Sequence, residues 1–242
     1  MVAARTLRRL SGAVLLLFDI DGTLLLRAFA EHRRALAEAV EEVWGATDPG
    51  PAAVPAAGRT DGEIAREICL LAGVGAEQID ARAAEFRAAC ARAYLRVCPP
   101  DLRVAPHVRR VLAELHARPG VRLSLVTGNL ESVARLKLER AGLAAYFPHG
   151  QGGFGSDAED RTELVPIARR RAGAPRAPYP RAHTVVIGDT PADVVCAHAD
   201  GVRCVAVTTG PFAADELADA DAVISGLHEL PGLIRTRPAA AR

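Results

Sequence analysis

The chain has 242 residues, of which half are hydrophobic and only 4% are aromatic. Its 30 basic and 29 acidic side chains give a net charge of +1, which leaves no electrostatic footprint for nucleic acid or an anionic membrane. The length predicts one large domain or a core with a smaller insert. No stretch approaches the roughly 18 uninterrupted apolar residues of a membrane span. Because of this and of the balanced charge, we expect neither nucleic acid nor a membrane as a partner.

The N-terminus and the cysteines indicate a cytoplasmic protein. Arg5, Arg8 and Arg9 precede an apolar run, as in a signal peptide. Asp19 and Asp21 interrupt that run, however, and no small-residue cleavage pattern follows. The five cysteines are odd in number and contain no Cys-x-x-Cys pair, so we expect reduced, mostly buried thiols.

The first predicted strand, Val14 to Leu17, leads directly into the sequence Phe18-Asp19-Ile20-Asp21-Gly22-Thr23-Leu24. In an extended segment residues i and i+2 point to the same side, so Asp19 and Asp21 project together. Adjacent carboxylates repel unless a cation neutralises them or one stays protonated. Gly22 permits a sharp turn after them. A solvated Asp-x-Asp-Gly turn is the simpler alternative, but the buried strand before it favours an active site.

A long stretch with only helical patterns comes next. Apolar residues recur at helical spacing in three sets, namely Leu36, Val40, Val43 and Trp44, then Ile64, Ile68 and Leu71, then Ile79, Phe86, Cys90 and Tyr94. A proline-rich segment from Asp48 to Gly58 follows the first set, and Pro99-Pro100 ends the stretch. We therefore expect this part of the chain to be a helical insert.

Strand and helix patterns alternate after the insert. A strand at Val121 to Val126 and a helix at about Glu131 to Ala141 precede strands at Thr184 to Ile187, Val202 to Val207 and Ala222 to Ile224. Helical patterns separate these strands, and such alternation predicts a parallel sheet covered on both faces. The expected fold class is therefore α/β.

A second strand ends at an acidic residue, in Val185-Val186-Ile187-Gly188-Asp189. Ligands of open parallel sheets bind beyond the carboxyl ends of the strands, so Asp189 should converge with Asp19 and Asp21. Asp193 falls near the start of a predicted helix, where it could simply stabilise the helix N-terminus. Carboxylates without histidine or cysteine suit a hard cation such as Mg²⁺.

A third strand ends at Thr127-Gly128-Asn129, which supplies a hydroxyl, a flexible glycine and an amide. Such a tripeptide is an ordinary turn by composition. As the third strand end that faces one pocket, it becomes a candidate phosphate cradle.

Together these motifs resemble those of haloacid dehalogenase-superfamily phosphatases of the phosphoglycolate phosphatase-like group. The run from Asp19 to Leu24 is similar to the superfamily's first motif, Thr127 falls at the second, and Gly188-Asp189 with Asp193 matches the fourth. The resemblance implies a Rossmann-like three-layer parallel-sheet core, formed by residues 1–26 and 101–242, with an inserted α-helical cap at residues 27–100.

The resemblance also implies a reaction and its residues. Asp19 would be the nucleophile that forms an aspartyl-phosphate, and Asp21 the general acid/base. The side chains of Asp19 and Asp189, with the backbone carbonyl of Asp21, would hold Mg²⁺, and Asp193 would support the metal site. Thr127 would bind a phosphoryl oxygen. The substrate-binding residues would then be Gly22, Gly128, Asn129, Arg59 and Arg161.

The third motif departs from the family pattern. Family members often place a Lys-Pro pair before a helix, whereas this chain has Asp160-Arg161-Thr162-Glu163 there. The chain's single lysine is Lys137, on the helix after Thr127. We expect Lys137 to be the cation that steadies Asp19 and the phosphate, with Arg161 as the alternative and a solvated surface lysine as the simplest reading of Lys137.

The expected substrate is a small phosphorylated metabolite: a phosphoglycolate-like ester, a sugar phosphate or a nucleotide. Arg59, in a cap segment that resembles a substrate-covering loop, could bind a distal anionic group or be an ordinary surface arginine. Asp21 argues against a dehalogenase. A phosphomutase and a catalytically silent binding module stay open, and the protein is expected to be a monomer or homodimer.

Overall fold

The computed structural model describes residues 13–26, 29–174 and 176–234, so Arg5, Arg8 and Arg9 lie outside it. The strands are β1 (Val14–Phe18), β2 (Leu25–Leu26), β3 (Arg103–Val104), β4 (Val121–Thr127), β5 (Gly153–Phe154), β6 (Thr184–Gly188), β7 (Arg203–Val207) and β8 (Ala222–Ile224). The helices are α1 (Phe29–Trp44), α2 (Asp61–Leu71), α3 (Ala76–Ala81), α4 (Ala83–Val97), α5 (Val108–Ala117), α6 (Glu131–Arg140), α7 (Leu164–Ala172), α8 (Pro191–Ala199) and α9 (Leu230–Leu233).

Six of the strands form one sheet in the order β5-β4-β1-β6-β7-β8, and every neighbouring pair is parallel. The central strand β1 pairs with β4 on one side and with β6 on the other, so Leu16 lies opposite both Leu123 and Val185. β2 and β3 form a separate antiparallel pair. The predicted α/β fold with a parallel sheet is confirmed.

The side chains of β1 alternate between two hydrophobic clusters. Val14, Leu16 and Phe18 belong to one cluster, and Leu15 and Leu17 to the other. Both sets are fully buried because both faces of the sheet are covered by helices. The first cluster includes residues of α5 and α6, and the second includes residues of α7 and α8. The core therefore has three layers, as expected.

Helices α1 to α4 lie between β2 and β3, and we call residues 29–97 the helical insert. The apolar residues predicted for α1 pack in the first cluster together with Phe86, Cys90 and Tyr94 of α4. The division into a core and a cap domain at residues 27–100 stays a prediction.

Two details of the insert differ from the sequence pattern. Ile79 was grouped with Phe86, but Ile79 belongs to α3, which ends at Ala81, and a break at Arg82 precedes α4. Leu71, whose spacing places it with Ile64 and Ile68, is 62% exposed, because it is the last residue of α2, whose buried residues end at Cys69. Periodicity alone detects neither a one-residue break nor a helix end.

The cysteine prediction is confirmed. All five cysteines, Cys69, Cys90, Cys98, Cys196 and Cys204, are buried and free of disulfides.

Among the described residues, no helix combines the length and the apolar character that a bilayer span requires.

Candidate active site

The site is built on the carboxyl ends of three neighbouring strands. β4, β1 and β6 lie side by side and parallel, so the residues that follow or end them meet at one sheet edge. Asp19 follows β1, Thr127 ends β4 and Asp189 follows β6. All three side chains are buried.

Asp19, Asp189 and Asp193 form an acidic cluster, with one carboxylate oxygen from each lying within 4.8 Å of the others. Burial, followed by repulsion from Asp193, raises the pKa of Asp19 to about 7 even though Arg161 opposes the shift. Burial, followed by repulsion from Asp19 and Asp193, raises the pKa of Asp189 to about 9. The cluster therefore holds more negative charge than its protein partners neutralise.

The donor set of this cluster fits a hard divalent cation. Asp189 Oδ1 accepts a hydrogen bond of 2.9 Å from the Thr23 hydroxyl, whereas the buried Oδ2 has no hydrogen-bond partner among the described residues. A Cβ at Gly22, whose φ is 88°, would lie 2.0 Å from that Oδ2. A glycine is thus required where the first motif turns past the carboxylate. Carboxylate and carbonyl oxygens are the ligands that Mg²⁺ prefers.

Asp193 both caps a helix, as its position predicts, and lies in the acidic cluster. Its Oδ2 accepts hydrogen bonds from the backbone N–H of Thr190 at 3.0 Å and from the Thr190 hydroxyl at 2.8 Å, in the capping box that begins α8. Its Oδ1 accepts a hydrogen bond from Arg161. The residue therefore stabilises a helix start and belongs to the acidic cluster.

The two basic residues considered for the third motif are both buried, but they contact different carboxylates. Arg161 Nη2 donates to Asp19 Oδ1 at 3.1 Å. Burial lowers the pKa of Arg161, but Asp193 and Asp19 outweigh it, so the pKa lies well above its usual value. The structure thus places Arg161, not Lys137, against Asp19.

Lys137, which is fully buried, lies beside Asp21 instead. Its Nζ donates to Asp21 Oδ2 at 2.6 Å and to Asn129 Oδ1 at 2.7 Å. Burial raises the pKa of Asp21, but the charges of Lys137 and His32 and hydrogen bonds from Lys137 and Asn129 together hold it below its usual value. Lys137 is therefore not a solvated surface lysine.

The Thr127-Gly128-Asn129 turn connects the site to the helical insert. Asn129 Nδ2 donates to Thr127 Oγ1 at 2.7 Å and to Asp21 Oδ2 at 2.8 Å. Gly128 O accepts a hydrogen bond of 2.8 Å from the backbone N–H of Asp61. A Cβ at Gly128 would lie 2.1 Å from the carbonyl oxygen of Arg59, so this close approach requires glycine.

Arg59 lines the cavity above the site, but its guanidinium is paired within the insert. Its Nε is 2.7 Å from Glu63 Oε1, and its Nη1 is 2.5 Å from Glu67 Oε2. Its predicted role in substrate binding stays a prediction.

Sequence reasoning missed a polar pair that the insert contributes. His32 Nε2 lies 3.1 Å from Asp61 Oδ2, and His32 Nδ1 lies 3.2 Å from Lys137 Nζ. Asp61 Oδ2 also accepts a hydrogen bond of 2.8 Å from the backbone N–H of Leu130. No local motif marks these contacts, because they join residues about 30 to 105 positions apart in the chain.

Thr209 and Gly210 were also missed, although the strand-end rule could have found them. They follow β7, the next strand of the sheet. Thr209 Oγ1 donates to Gly22 O at 2.6 Å, and a Cβ at Gly210 would lie 1.8 Å from Asp189 Oδ2.

A cavity of about 670 Å³ lies between this sheet edge and the insert. Its core side is lined by Asp19, Asp21, Thr127, Gly128, Arg161 and Asp189. All three strand ends therefore face the same cavity, and carboxylates, a guanidinium and a hydroxyl surround a space large enough for a small ligand.

Solved structures with the same fold come from several bacteria. A proposed β-phosphoglucomutase from Bacteroides vulgatus is 20% identical, with a TM-score of 0.65 over 92% of this chain and 89% of that one. CbbY from Rhodobacter sphaeroides in complex with xylulose-(1,5)bisphosphate is 18% identical, with a TM-score of 0.68 over 92% and 100%. A predicted phosphoglycolate phosphatase from Haemophilus somnus is 18% identical, with a TM-score of 0.63 over 91% and 97%.

At these identities the similarity shows the fold alone, and the search of curated proteins found no match. The family is shown by a sequence model of haloacid dehalogenase-like hydrolases, which matches residues 16–198 and thus both motif aspartates, the insert and the acidic cluster. The chain therefore belongs to the haloacid dehalogenase-like hydrolase family.

Proposed function

We propose that the protein is a Mg²⁺-dependent phosphatase that hydrolyses a small phosphomonoester through a phosphorylated Asp19. The observation that carries the proposal is the arrangement around Asp19, whose carboxylate accepts a hydrogen bond from Arg161 and lies beside Asp189 and Asp193 on the core side of the cavity. A carboxylate next to a buried guanidinium suits attack on a phosphoryl group, because the cation offsets the repulsion between two anions.

In the first step an oxygen of Asp19 forms a bond to phosphorus while the ester P–O bond breaks. Asp21 gives a proton to the departing alcohol oxygen. In the second step water attacks the phosphorus, Asp21 takes its proton, and the bond to Asp19 breaks. Inorganic phosphate leaves, Asp19 is again a carboxylate, and Asp21 again carries the proton that it gave to the alcohol in the first step. Arg161 donates hydrogen bonds near the charge that develops.

Asp21 is held in position for proton transfer by its environment. Lys137 and Asn129 fix its Oδ2, while its buried Oδ1 has no hydrogen-bond partner among the described residues. The lowered pKa keeps Asp21 ionised in the free protein at neutral pH. It must therefore acquire its proton when the anionic substrate binds beside it, since a nearby anion raises the pKa.

The side chains of Asp19 and Asp189, with the backbone carbonyl of Asp21, would hold Mg²⁺, and Asp193 would support them. When bound, the cation supplies positive charge that neutralises the cluster and the phosphoryl oxygens. The unpartnered Asp189 Oδ2 and the raised pKa values of Asp19 and Asp189 support this assignment.

A phosphomutase is the second candidate, because a proposed β-phosphoglucomutase has the same fold over nearly the whole chain. It would pass the same phosphoryl group from Asp19 to a second hydroxyl instead of water. The retention of both motif aspartates speaks against a silent binding module. A cytoplasmic location and a monomeric or homodimeric state remain predictions.

The test is phosphate release from a panel of small phosphomonoesters with and without Mg²⁺, using Asp19→Asn as the matched variant. We expect Mg²⁺-dependent release that the substitution abolishes, since the amide is a poor nucleophile. Formation of a phosphorylated isomer without phosphate release would establish the mutase. Release that persists in Asp19→Asn would refute Asp19 as the nucleophile.

A further inference from the structure

The insert side of the cavity has a different character from its floor. The residues that line it include the apolar side chains of Phe29, Leu36, Pro51, Ala57 and Ile64. Pro211 of the core adds to them. The part of the cavity that would surround the group attached to the phosphate therefore offers mainly carbon atoms.

The charged residues on the insert side of the cavity form ion pairs with neighbouring residues. Arg33 donates from Nε to Asp48 Oδ2 at 2.8 Å and from Nη2 to Asp48 Oδ1 at 2.6 Å. Its Nη1 donates to Val54 O at 2.8 Å. The side chains of this pair are only 17% and 10% exposed, so pulling Arg33 toward a ligand would leave a mostly buried carboxylate without its partner.

The remaining charged groups follow the same rule. Arg59 is paired with Glu63 and Glu67, and Arg34 at the edge of the cavity is paired with Glu38 at 2.9 Å. His32 and Asp61 bind each other, and their other contacts go to Lys137 and to the backbone of Leu130. Among the described residues, the insert presents no cation to this cavity that lacks an acidic partner.

The exposure of Phe29 supports the same conclusion. It is one of the few large apolar residues of the described chain that are strongly exposed, at 44%, and it lines the cavity. An apolar ligand would cover this ring and so remove apolar surface from water.

We infer that the substrate's leaving group is an uncharged and largely apolar alcohol, so that the substrate carries a single phosphate. The inference rests on the proposed phosphatase function and names its substrate class. A second phosphate or a carboxylate would have to displace a paired acidic side chain, and sugar hydroxyls would meet polar groups whose hydrogen bonds are already made.

The test compares cyclohexylmethyl phosphate with glucose 6-phosphate, with p-nitrophenyl phosphate as the reference ester. Both test compounds are primary alkyl monoesters that carry a six-membered ring, and they differ mainly in the hydroxyls. We expect kcat/KM to favour cyclohexylmethyl phosphate by about tenfold or more. Equal values or a preference for glucose 6-phosphate would overturn the inference.

A second pair tests charge. Pentyl phosphate and the bisphosphate of 1,5-pentanediol share a chain and a leaving-group type, and differ in one distal phosphate. We expect kcat/KM to be about tenfold or more lower for the bisphosphate. A preference for the bisphosphate would show that the insert side of the cavity supplies a cation, and would also overturn the inference.

Two substitutions test whether Phe29 contributes to the preference for cyclohexylmethyl phosphate. Phe29→Ser should reduce the preference for cyclohexylmethyl phosphate by about threefold, because the apolar ring is lost. Leu71→Ser is the control, since Leu71 is 62% exposed but does not line the cavity, and it should leave the preference unchanged. An equal effect of both variants would contradict the assignment.

The outcomes also separate the two claims. If p-nitrophenyl phosphate is hydrolysed with Mg²⁺ but cyclohexylmethyl phosphate and pentyl phosphate are not, the inferred substrate class is wrong and the proposed phosphatase function stands. If no ester in any of these experiments is hydrolysed, the proposed function fails and the substrate class fails with it.

Discussion

The two sides of the cavity differ in how far their charged side chains are neutralised by neighbouring residues. On the core side, three buried carboxylates lie together, and Arg161 donates hydrogen bonds to two of them, Asp19 and Asp193. The pKa values of Asp19 and Asp189 are raised to about 7 and about 9, and one oxygen of Asp189 has no partner among the described residues. On the insert side, Arg33 and Arg59 are matched by Asp48, Glu63 and Glu67. Among the described residues that line the cavity, uncompensated charge thus lies only where a cation and a phosphoryl group are proposed to bind.

The largest expected effect on stability comes from removing the cation beside Asp21. Lys137→Met leaves a buried carboxylate without its partner, so we expect the free energy of unfolding to fall by about 3 to 5 kcal/mol in urea titrations. Lys137→Met combined with Asp21→Asn removes both charges and should recover most of that loss. A single variant as stable as the parent would show that Asp21 and Lys137 are not an ion pair in solution.

Removing the cation beside Asp19 should act on turnover. Arg161→Met removes the donor next to the proposed nucleophile, so we expect kcat to fall about 10²- to 10³-fold. Arg171→Met is the control, because Arg171 pairs with Asp157 on the outside of the core and its loss should leave kcat unchanged. If Lys137→Ala abolished turnover while Arg161→Met did not, Lys137 would take the third-motif role predicted from the sequence.

The acidic cluster predicts how metal and pH affect stability. In EDTA the folded protein binds more protons than the unfolded chain, because the folded pKa values of Asp19 and Asp189 are raised. The contribution of these two groups to stability is therefore greatest below their unfolded pKa of about 4, and it is lost as pH rises through about 7 and about 9. Mg²⁺ at a hundred times its Kd should add about 2.7 kcal/mol, measured by thermal unfolding.

Asp189→Asn is the matched variant for that experiment. It should weaken both the loss of stability with pH and the stabilisation by Mg²⁺. A stability that is independent of pH between 5 and 9 in EDTA would contradict the raised pKa values.

The smallest effect is expected on the insert side. Arg59→Met should change kcat/KM for the preferred phosphate ester of an uncharged alcohol by less than about threefold, because its guanidinium is already paired with Glu63 and Glu67. The control is Arg82→Met, because Arg82 forms an exposed ion pair with Glu85. A fall of about a hundredfold specific to Arg59→Met would instead support the substrate-binding role predicted from the sequence.

The positions of the site residues could be predicted where a functional side chain ends or directly follows an apolar strand. Asp19 and Asp189 each come directly after an apolar strand, and Thr127 ends a third one, so the convergence of the three could be predicted without knowing the strand order. The two-sided burial of β1 was readable from its unbroken run of Val and Leu.

The partners of the charged groups could not be predicted in this way. Arg161 and Lys137 both lie near the same sheet edge. Which carboxylate each one contacts depends on how the short 3-10 helix Arg161–Glu163 and α6 pack against the sheet. His32 and Asp61 reach the site only through the docking of the insert. The pairing of Arg59 involves residues 4 and 8 positions later on one helix, which a single-residue motif does not reveal.

The central claim is that Asp19 becomes phosphorylated during turnover. The most direct measurement is mass spectrometry of enzyme that is quenched in acid while it turns over its best ester with Mg²⁺, followed by borohydride reduction of any acyl phosphate. The account predicts one added phosphoryl group and, after reduction, homoserine at position 19, with neither signal in Asp19→Asn. An enzyme that releases phosphate at full rate without ever carrying a phosphoryl group at Asp19 would contradict it.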